Sequence, residues 1–187
     1  MINKIKQYIS DMGIEQSLCE QVLPLFRLKE VQPGDIILDI GENTKVICLI
    51  LQGLVRGYYL DEDGNDITKC FSREKEWCCF YNYLDEGPSL FCVEALEPCI
   101  LAEIDVRDIR ELLIKQSSIA MLFQRLFKEA FLKTEEKSAA FQKLDAKERY
   151  LQFREQNPDI CNRVKQEHIA SYLGITPSSL SRIKRDL

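Results

Sequence analysis

The sequence predicts an α+β fold in three parts: an N-terminal jelly roll, or double-stranded β-helix, a long central helix and a C-terminal helix-turn-helix domain. Glycines divide the first half of the chain into short apolar stretches, a pattern typical of antiparallel strands joined by tight turns. Residues 117–143 contain neither Gly nor Pro, and their apolar residues recur every three or four positions. We therefore predict a β-roll with N-terminal helices at 1–116, the central helix at 117–144 and the C-terminal domain at 145–187.

Length and composition exclude several classes of protein. A chain of 187 residues with 45% hydrophobic content is long enough to bury a core. Its first residues lack the apolar block of a secretory signal, and its longest apolar run, Val46 to Leu51, has six residues and is too short to cross a membrane. Eight cysteines without such a signal favour a reducing cytosol, in which thiols stay free. We expect a cytoplasmic protein without disulfides and without a membrane partner.

The roll is predicted from apolar stretches that are bounded by Gly and other turn residues. They span 36–40, 46–51, 54–60, 67–71, 90–95 and 100–104. Between the third and fourth stretches, Asp61 to Asn65 has the composition of a hairpin loop. Before the roll, the helical spacing of apolar residues within 3–26 predicts short helices.

The central helix is predicted to form a dimer. Its apolar stripe comprises Ile119, Leu122, Phe123, Leu126, Phe127, Ala130 and Phe131. At a rise of about 1.5 Å per residue, such a helix spans roughly 40 Å, more than a small roll can cover. Part of the stripe therefore needs a partner, and a second copy of the chain is the simplest one. The alternative is that the stripe packs wholly against its own roll.

The C-terminal domain is predicted to begin with a capped helix. Asp145 and Glu148 have the spacing of a capping box, in which each side chain accepts a backbone N–H of the other residue. Pro158 disfavours helical geometry at Asn157 and removes a donor, so this helix is expected to end there.

Residues 166–185 have the pattern of two short helices joined by a sharp turn. Ala170 is small enough for the second helix to cross closely, and Gly174 accepts the positive φ that a sharp turn requires. Thr176 is a helix cap, and Pro177 fits the first helical position. The apolar residues Ile169, Leu173, Ile175, Leu180 and Ile183 form the shared core.

One face of the second helix has the residues of a DNA-reading surface. On this face, opposite the core, lie Pro177, Ser178, Ser181, Arg182 and Arg185, and the candidate DNA-contacting residues also include Thr176, Ser179 and Lys184. Short side chains near the helix start allow close approach to a major groove, and Arg182 has the forked geometry that recognises guanine. We expect Arg182, and next Ser178, to contact bases. Thr176, Ser179, Lys184 and Arg185 are expected to position phosphates.

Charge is distributed in agreement with this prediction. The chain as a whole carries a net charge of −5. Residues 1–144 hold 17 basic and 24 acidic side chains, whereas residues 145–187 hold 8 basic and 6 acidic ones. The C-terminal domain is therefore the basic end of an acidic protein, as contact with phosphates requires. A solvated helix end is the alternative explanation for Arg182, Lys184 and Arg185 taken alone.

The order of these parts resembles the Crp/Fnr family, which includes the cyclic-AMP receptor protein. The motifs that carry the resemblance are Pro33 to Leu38, Gly41-Glu42, Leu51 to Arg56, Tyr59 to Gly64 and Ile169 to Arg185. The resemblance implies a cyclic-nucleotide-binding-like roll and a homodimer that pairs through the central helix. It also implies binding to duplex DNA with two-fold symmetry, at half-sites about one helical turn apart. Contact with RNA polymerase is expected of such a transcription regulator.

The resemblance also places a candidate effector pocket. The corresponding residues are Trp77, Cys78, Cys79, Phe80, Ser89 and Leu90. Family members that bind cyclic nucleotides have Gly-Glu where Cys78-Cys79 stands, and an arginine followed by a small residue where Ser89-Leu90 stands. A cyclic phosphate would lose its charged, bidentate partner here. We therefore expect an effector other than cyclic AMP, or none.

No cofactor and no metal are predicted. Oxygen-sensing members of the family have cysteines clustered before the roll, where only Cys19 occurs here, and His168 is the single histidine available for haem. The usual structural zinc patterns need soft ligands in motifs such as CxxC, and the sequence contains no CxxC pair. A redox or soft-metal response of Cys78 and Cys79 stays open beside the simpler interpretation that they are buried thiols.

Two other functions are alternatives to a transcription regulator. One is a small-molecule or redox-sensing roll with degenerate DNA binding, in which Trp77, Phe80, Tyr81, Tyr83 and Phe91 line an apolar pocket. The other is an enzyme on a β-barrel scaffold. Metal-dependent rolls need several histidines and the predicted roll has none, and no triad or carboxylate pair stands out. We therefore predict that the protein is not an enzyme.

Overall fold

A computed structural model describes residues 1–43, 45–79 and 87–187. The chain divides into two compact units, which are Met1–Tyr59 with Cys70–Arg125, and Leu60–Lys69 with Leu126–Leu187. Within the described ranges, no helix combines the length and the apolar character needed to cross a membrane.

The first unit begins with the short helices predicted from apolar spacing. Helix α1 is Ile2–Asp11 and helix α2 is Gln16–Val22, which leads into a 3₁₀ turn at Leu23–Leu25. The apolar residues of α1 and α2, such as Ile5, Ile9 and Leu18, are buried. The amphipathic pattern therefore gave the correct element type.

The β-roll is made of two four-stranded sheets. The strands are β1 (Arg27–Val31), β2 (Ile36–Leu38), β3 (Val46–Gln52), β4 (Val55–Leu60), β5 (Asp66–Ser72), β6 (Trp77–Cys78), β7 (Cys92–Ala95) and β8 (Cys99–Asp105). Their order is β1-β8-β3-β6 in one sheet and β2-β7-β4-β5 in the other. The described pairings of β1, β3 and β6 with their neighbours, and of β7 with β2 and β4, are antiparallel. The predicted antiparallel β-roll is confirmed.

Two strands were not predicted. Strand β1 is charged and mostly exposed, and only Val31 in it is buried, so it lacks the apolar alternation of a half-buried strand. It is held by its pairing with β8, with Arg27 opposite Glu103. Strand β6 has two residues and pairs with β3, which no local pattern can reveal. The strand expected from Leu90 begins at Cys92.

Side chains from both sheets fill the interior of the roll. The buried residues in contact there are Val31, Ile37, Leu38, Cys48, Ile50, Val55, Cys78, Cys79, Phe91, Val93, Ala95, Cys99 and Leu101. Most of them are β-branched, aromatic or sulfur-containing, which suits a pleated surface packed on one side. The described part of the roll therefore has a packed core that includes four cysteines.

Helices follow the roll as predicted. Helix α3 is Val106–Lys115 and helix α4 is Ser117–Lys143, the latter with the bounds that the absence of Gly and Pro indicated. The stripe on α4 is buried at Ile119, Leu122 and Phe123 and exposed at Phe131, whose exposed fraction is 63%. The exposed end of the stripe favours pairing with a second copy, which stays a prediction.

Four shorter helices complete the second unit. They are α5 (Ala146–Gln156), α6 (Ile160–Arg163), α7 (Gln166–Leu173) and α8 (Pro177–Arg185). The capping box is present at the start of α5, where the backbone N–H of Asp145 donates to Glu148 Oε2 at 2.9 Å and that of Glu148 donates to Asp145 Oδ1 at 2.9 Å. Helix α5 ends at Asn157, before Pro158, as expected. That residues 117–144 act as a separate dimerisation segment stays a prediction.

Candidate nucleic-acid interface

Helices α7 and α8 meet at a left-handed residue, as the sequence predicted. Gly174 has φ 67° and ψ 35°, and its N–H donates to the carbonyl groups at the end of α7. A residue with a Cβ would be strained in this conformation, whereas glycine is not. The chain therefore reverses sharply after α7 and starts α8 three residues later.

Arg149 fixes the end of α7 to helix α5. Its Nε and Nη2 donate to the carbonyl oxygen of Leu173 at 3.3 Å and 3.2 Å, and its Nη1 donates to the carbonyl oxygen of Leu144 at 2.8 Å. The guanidinium also lies 4.8 Å from the ring centre of Phe141. Carbonyl groups at a helix C-terminus lack partners within the helix, so the arginine satisfies two of them while linking three helices.

The start of α8 has the predicted cap. The hydroxyl oxygen of Thr176 accepts the backbone N–H of Ser179 at 3.1 Å, and Pro177 occupies the first helical position. Both features favour a helix that begins at residue 177. The capping hydroxyl also lies 2.9 Å from the hydroxyl of Ser178, so the first turn of α8 is a cluster of small polar groups.

Burial separates the two faces of α8. Leu180 is fully buried with Ile169, Ala170 and Leu173 of α7, while Ile175 and Ile183 are half-buried. The predicted DNA-contacting residues lie on the other side: Thr176, Pro177, Ser178, Ser181, Arg182, Lys184 and Arg185 are exposed, and Ser179 is half-buried. The structure therefore brings all eight together on one short helix, as a surface with small side chains at its start and cations at its end.

The cations of this surface are solvated. Arg182, Lys184 and Arg185 all lie in the last turn of α8, where the negative end of the helix dipole also favours positive charge. Arg185 Nε lies 3.8 Å from Asp186 Oδ1, and both side chains are well exposed, so this contact contributes little stability. Positive charge at this position is therefore available to an external anion.

Within the second unit, residues 66–69 contact the side of α7 that carries Ser171. The N–H of Thr68 donates to Ser171 Oγ at 2.8 Å, and Ser171 Oγ donates to the carbonyl oxygen of Asp66 at 3.2 Å. Lys137 Nζ donates to the carbonyl oxygen of Lys69 at 2.8 Å and lies 4.0 Å from the ring centre of Tyr172. Helix α7 is thus contacted at Ser171 and Tyr172 as well as by α8, and α8 is the helix that faces solvent.

The candidate effector residues that the structure describes do not line one common pocket. Trp77 Nε1 donates to the Tyr8 hydroxyl at 2.8 Å, and its ring lies in an apolar cleft with Phe26 and Phe123. Cys78 and Cys79 are buried in the core of the roll instead. Trp77 therefore faces the helices and not the roll interior, because neighbouring residues of a strand point to opposite faces.

The remaining effector residues are placed as follows. Ser89 is buried, and its hydroxyl donates to the carbonyl oxygen of Phe91 at 2.7 Å. Leu90 is 60% exposed. Phe80, and Tyr81 and Tyr83 of the alternative apolar pocket, lie outside the described residues, while Phe91 of that pocket is in the roll core.

Sequence reasoning missed one residue beside Cys78 and Cys79. Cys48 lies in β3 directly opposite Cys78 of β6. The three sulfur atoms all lie within 4.8 Å of one another. Only the pairing of β3 with β6 could have revealed this, since thirty positions separate the first cysteine from the second.

Comparison with known proteins supports the architecture of the roll. Residues 28–116 match the profile of the Cyclic nucleotide-binding domain family. The roll has the fold of that domain. A search of curated protein sequences gave no significant match.

Solved structures resemble a larger part of the chain. FixK2 from Bradyrhizobium japonicum is 17% identical, with 87% of this chain and 84% of that chain covered at a TM-score of 0.75. CLP, a c-di-GMP responsive global regulator from Xanthomonas campestris, is 14% identical, with 92% and 91% covered at 0.76. A mutant of CooA from Carboxydothermus hydrogenoformans is 16% identical, with 96% and 83% covered at 0.75. Identities this low establish a similar fold and nothing about ligands.

Proposed function

We propose that this protein is a sequence-specific DNA-binding transcription regulator of the Crp/Fnr type, which binds a two-fold DNA site as a homodimer. The observation that carries the proposal is the exposed polar face of α8, because seven of the eight predicted DNA-contacting residues lie on that helix and Thr176 caps it, while its apolar side is buried against α7. A helix of this kind, supported from behind, fits the second helix of a helix-turn-helix. The fold similarity to FixK2, CLP and CooA agrees with this function.

Each part of the α8 surface has a proposed role. Arg182, one turn into the helix, reaches base edges and donates two hydrogen bonds to guanine O6 and N7. Ser178 contacts a neighbouring base, since its short side chain allows the helix start to approach the groove floor. Lys184, Arg185 and the hydroxyls of Thr176 and Ser179 bind phosphates, which fixes the register of the protein without selecting sequence.

Helix α4 provides the proposed dimer interface. Met121, Phe131 and Leu132 have exposed fractions of 69%, 63% and 46%, although they belong to a helix whose other side is buried at Ile119 and Phe123. Monomeric proteins rarely expose several large apolar side chains along one helix. Pairing of α4 with its copy covers them and presents two α8 helices to successive major grooves.

The proposed effector differs from cyclic AMP, or is absent. Ser89 and Leu90 stand where the phosphate-binding arginine and its neighbour would be expected, and neither carries a positive charge. Ser89 also uses its hydroxyl on the backbone of Phe91. A cyclic phosphate at this position would therefore lack the charge-assisted contact that pays for its desolvation.

Selection from genomic DNA tests the proposal directly. The purified full chain is mixed with sheared genomic duplexes and with a pool of random duplexes, and the bound fragments are sequenced. Enrichment of a motif with two-fold symmetry, with half-sites about one helical turn apart, is the expected result. If no motif emerges, the alternative function, a small-molecule or redox-sensing roll with degenerate DNA binding, replaces it.

Point variants test the assigned surface. Arg182→Ala is expected to cost about 1–3 kcal/mol of specific binding and to relax the preference at one base pair, whereas Lys184→Ala weakens all sequences alike and lowers the salt slope by about one. The matched control is Arg107→Ala, which removes the same charge from an exposed position on α3. Equal effects of Arg182→Ala and Arg107→Ala on DNA affinity would exclude α8 as the reading helix.

A further inference from the structure

Three cysteines from separate positions converge inside the roll. Cys48 lies in β3, Cys78 ends β6 and Cys79 follows it, and their exposed fractions are 0%, 7% and 4%. Cys48 and Cys78 are directly opposite each other in the antiparallel register, so their side chains share a face. All three sulfur atoms lie within 4.8 Å of one another. We call this group the thiol cluster.

The backbone turns Cys79 into the cluster. In an extended strand, Cys79 would point away from Cys78, because successive side chains alternate between faces. Cys79 instead has φ 61°, a left-handed conformation that residues other than Gly rarely adopt. This conformation ends β6 and brings the third sulfur to the same side as the other two. A strained residue that completes a cluster of reactive groups is typical of a functional site.

Thiol ligands lose their protons when a metal binds, so an ion can enter this buried cluster by displacing the protons of the three thiols.

We infer that Cys48, Cys78 and Cys79 bind one soft metal ion through their three sulfur atoms. Sulfur ligands about 2.3 Å from one ion lie about 3.8–4.0 Å from one another, so the observed spacing needs little adjustment. Thiolate ligands select soft ions such as Cu(I), Zn(II) and their heavier relatives over hard, oxygen-preferring ions. The group found among the described residues contains sulfur ligands only, which fits an ion that accepts three of them.

Charge limits which ion fits. Three thiolates and a divalent ion leave one net negative charge in a buried site. A monovalent ion would leave two negative charges, which burial disfavours more strongly. We therefore assign the site to a divalent thiophilic ion, for which Cd(II) is the probe. Metal binding is measured directly, so the result does not depend on whether the protein binds DNA.

Titration with cadmium chloride tests the assignment. The full-length protein is reduced, freed of metal and reductant under anaerobic conditions, and titrated while the ultraviolet absorption of cadmium–thiolate bonds is followed. Saturation at one ion per chain is expected. Replacement of a ligand by alanine, as Cys48→Ala, Cys78→Ala or Cys79→Ala, is expected to weaken binding by more than about 100-fold, because loss of even an outer-sphere partner costs 10–100-fold.

A matched control separates the cluster from cysteines in general. Cys99→Ala removes a thiol that is 2% exposed and packed in the same roll core but is not in the cluster, so it should leave cadmium binding unchanged. Equal weakening by Cys99→Ala and the cluster variants, or no weakening by any of them, overturns the assignment.

Spectroscopy of the unmodified protein tests the metal site even where a cysteine variant fails to fold. X-ray absorption at the cadmium edge should show three sulfur neighbours. A first shell of oxygen or nitrogen, or fewer than three sulfurs, overturns the assignment. A disulfide between two cluster cysteines also overturns the assignment if it persists after treatment with reductant. Intact mass and thiol titration detect it.

Discussion

The ring of Phe141 lies directly over Gly174, so close that a Cβ at Gly174 would be 2.8 Å from Cε1 of the ring. Phe141 belongs to the last turns of α4, and Gly174 is the hinge between α7 and α8. Arg149, which donates to Leu173, stacks on the same ring. One aromatic side chain thus packs against both the turn and the arginine that caps it.

Gly174→Ala is expected to destabilise the second unit. The left-handed conformation alone costs an alanine about 1–2 kcal/mol, and the contact with Phe141 adds overpacking of about 1–3 kcal/mol. The matched control is Gly64→Ala, because Gly64 has φ 82° but a Cβ there would meet nothing within 4 Å. Denaturant unfolding followed by circular dichroism measures both. A loss at Gly174 no larger than that at Gly64 would show that Phe141 can move aside.

Loss of the Thr176 cap is expected to weaken α8. Thr176→Ala removes the acceptor of the Ser179 N–H and should cost about 0.5–2 kcal/mol, while Thr176→Ser keeps the acceptor and should cost little. Amide hydrogen exchange in residues 178–180 reports the change locally. The prediction fails if the alanine and serine variants exchange at the same rate.

The ion pair between Arg56 and Glu94 is expected to be costly to break. Arg56 Nε and Nη2 each lie 2.8 Å from Glu94 Oε1 across strands β4 and β7, and the arginine side chain is only 2% exposed. Glu94→Ala leaves a buried guanidinium without this partner, so we expect a loss of about 3 kcal/mol.

The exposed pair between Lys29 and Glu103 provides the comparison for Arg56. Its atoms lie 3.3 Å apart, and the lysine side chain is 44% exposed. Lys29→Ala should therefore cost less than about 1 kcal/mol. Equal losses in the two variants, measured as shifts in the midpoint of thermal unfolding, would mean that burial of Arg56 does not strengthen its dependence on Glu94.

Stability at acid pH is expected to depend on Asp105. Hydrogen bonds from the Arg107 side chain, and then from its backbone N–H, hold the pKa of Asp105 below its ordinary value. The unfolded chain binds this proton at about pH 3.9. The ionised carboxylate therefore stabilises the fold above that pH, and the contribution is lost as pH falls through the lower pKa of the folded state.

Asp105→Asn tests this dependence without removing the helix cap, because asparagine is also a good cap. The thermal midpoint of the natural protein should exceed that of the variant near neutral pH, and the gap should close below about pH 4. A gap that stays constant between neutral and acid pH would assign the effect to something other than ionisation of Asp105.

Local chemistry made the helices predictable. Asp145 with Glu148, Thr176 with Pro177, and Gly174 each satisfy backbone groups within a few residues, so the sequence alone specifies where those helices begin and end. The eight residues proposed to contact DNA follow from the same short segment. They share one helix and its cap, and the helical period places Ser178, Ser181, Arg182 and Arg185 on the side away from Leu180.

Long-range pairing explains what the sequence could not predict. Strand β1 is charged and mostly exposed, and it exists because β8 supplies hydrogen-bond partners far along the chain. Trp77 was expected to line an effector pocket together with Cys78 and Cys79, but its position depends on the helices that pack outside β6. Cys48 joins Cys78 only through the register of β3 with β6. Composition and spacing carry no information on such pairings.

The exposed apolar side chains of Met121 and Phe131 on α4 affect the lifetime of the protein in a cell. In the proposed homodimer the second copy covers these side chains, so dilution would favour unfolding by mass action. The melting temperature should then climb as the solution becomes more concentrated. The concentration of the protein and its rate of degradation then become linked, since a larger fraction of the chains is unfolded and open to proteases at low concentration.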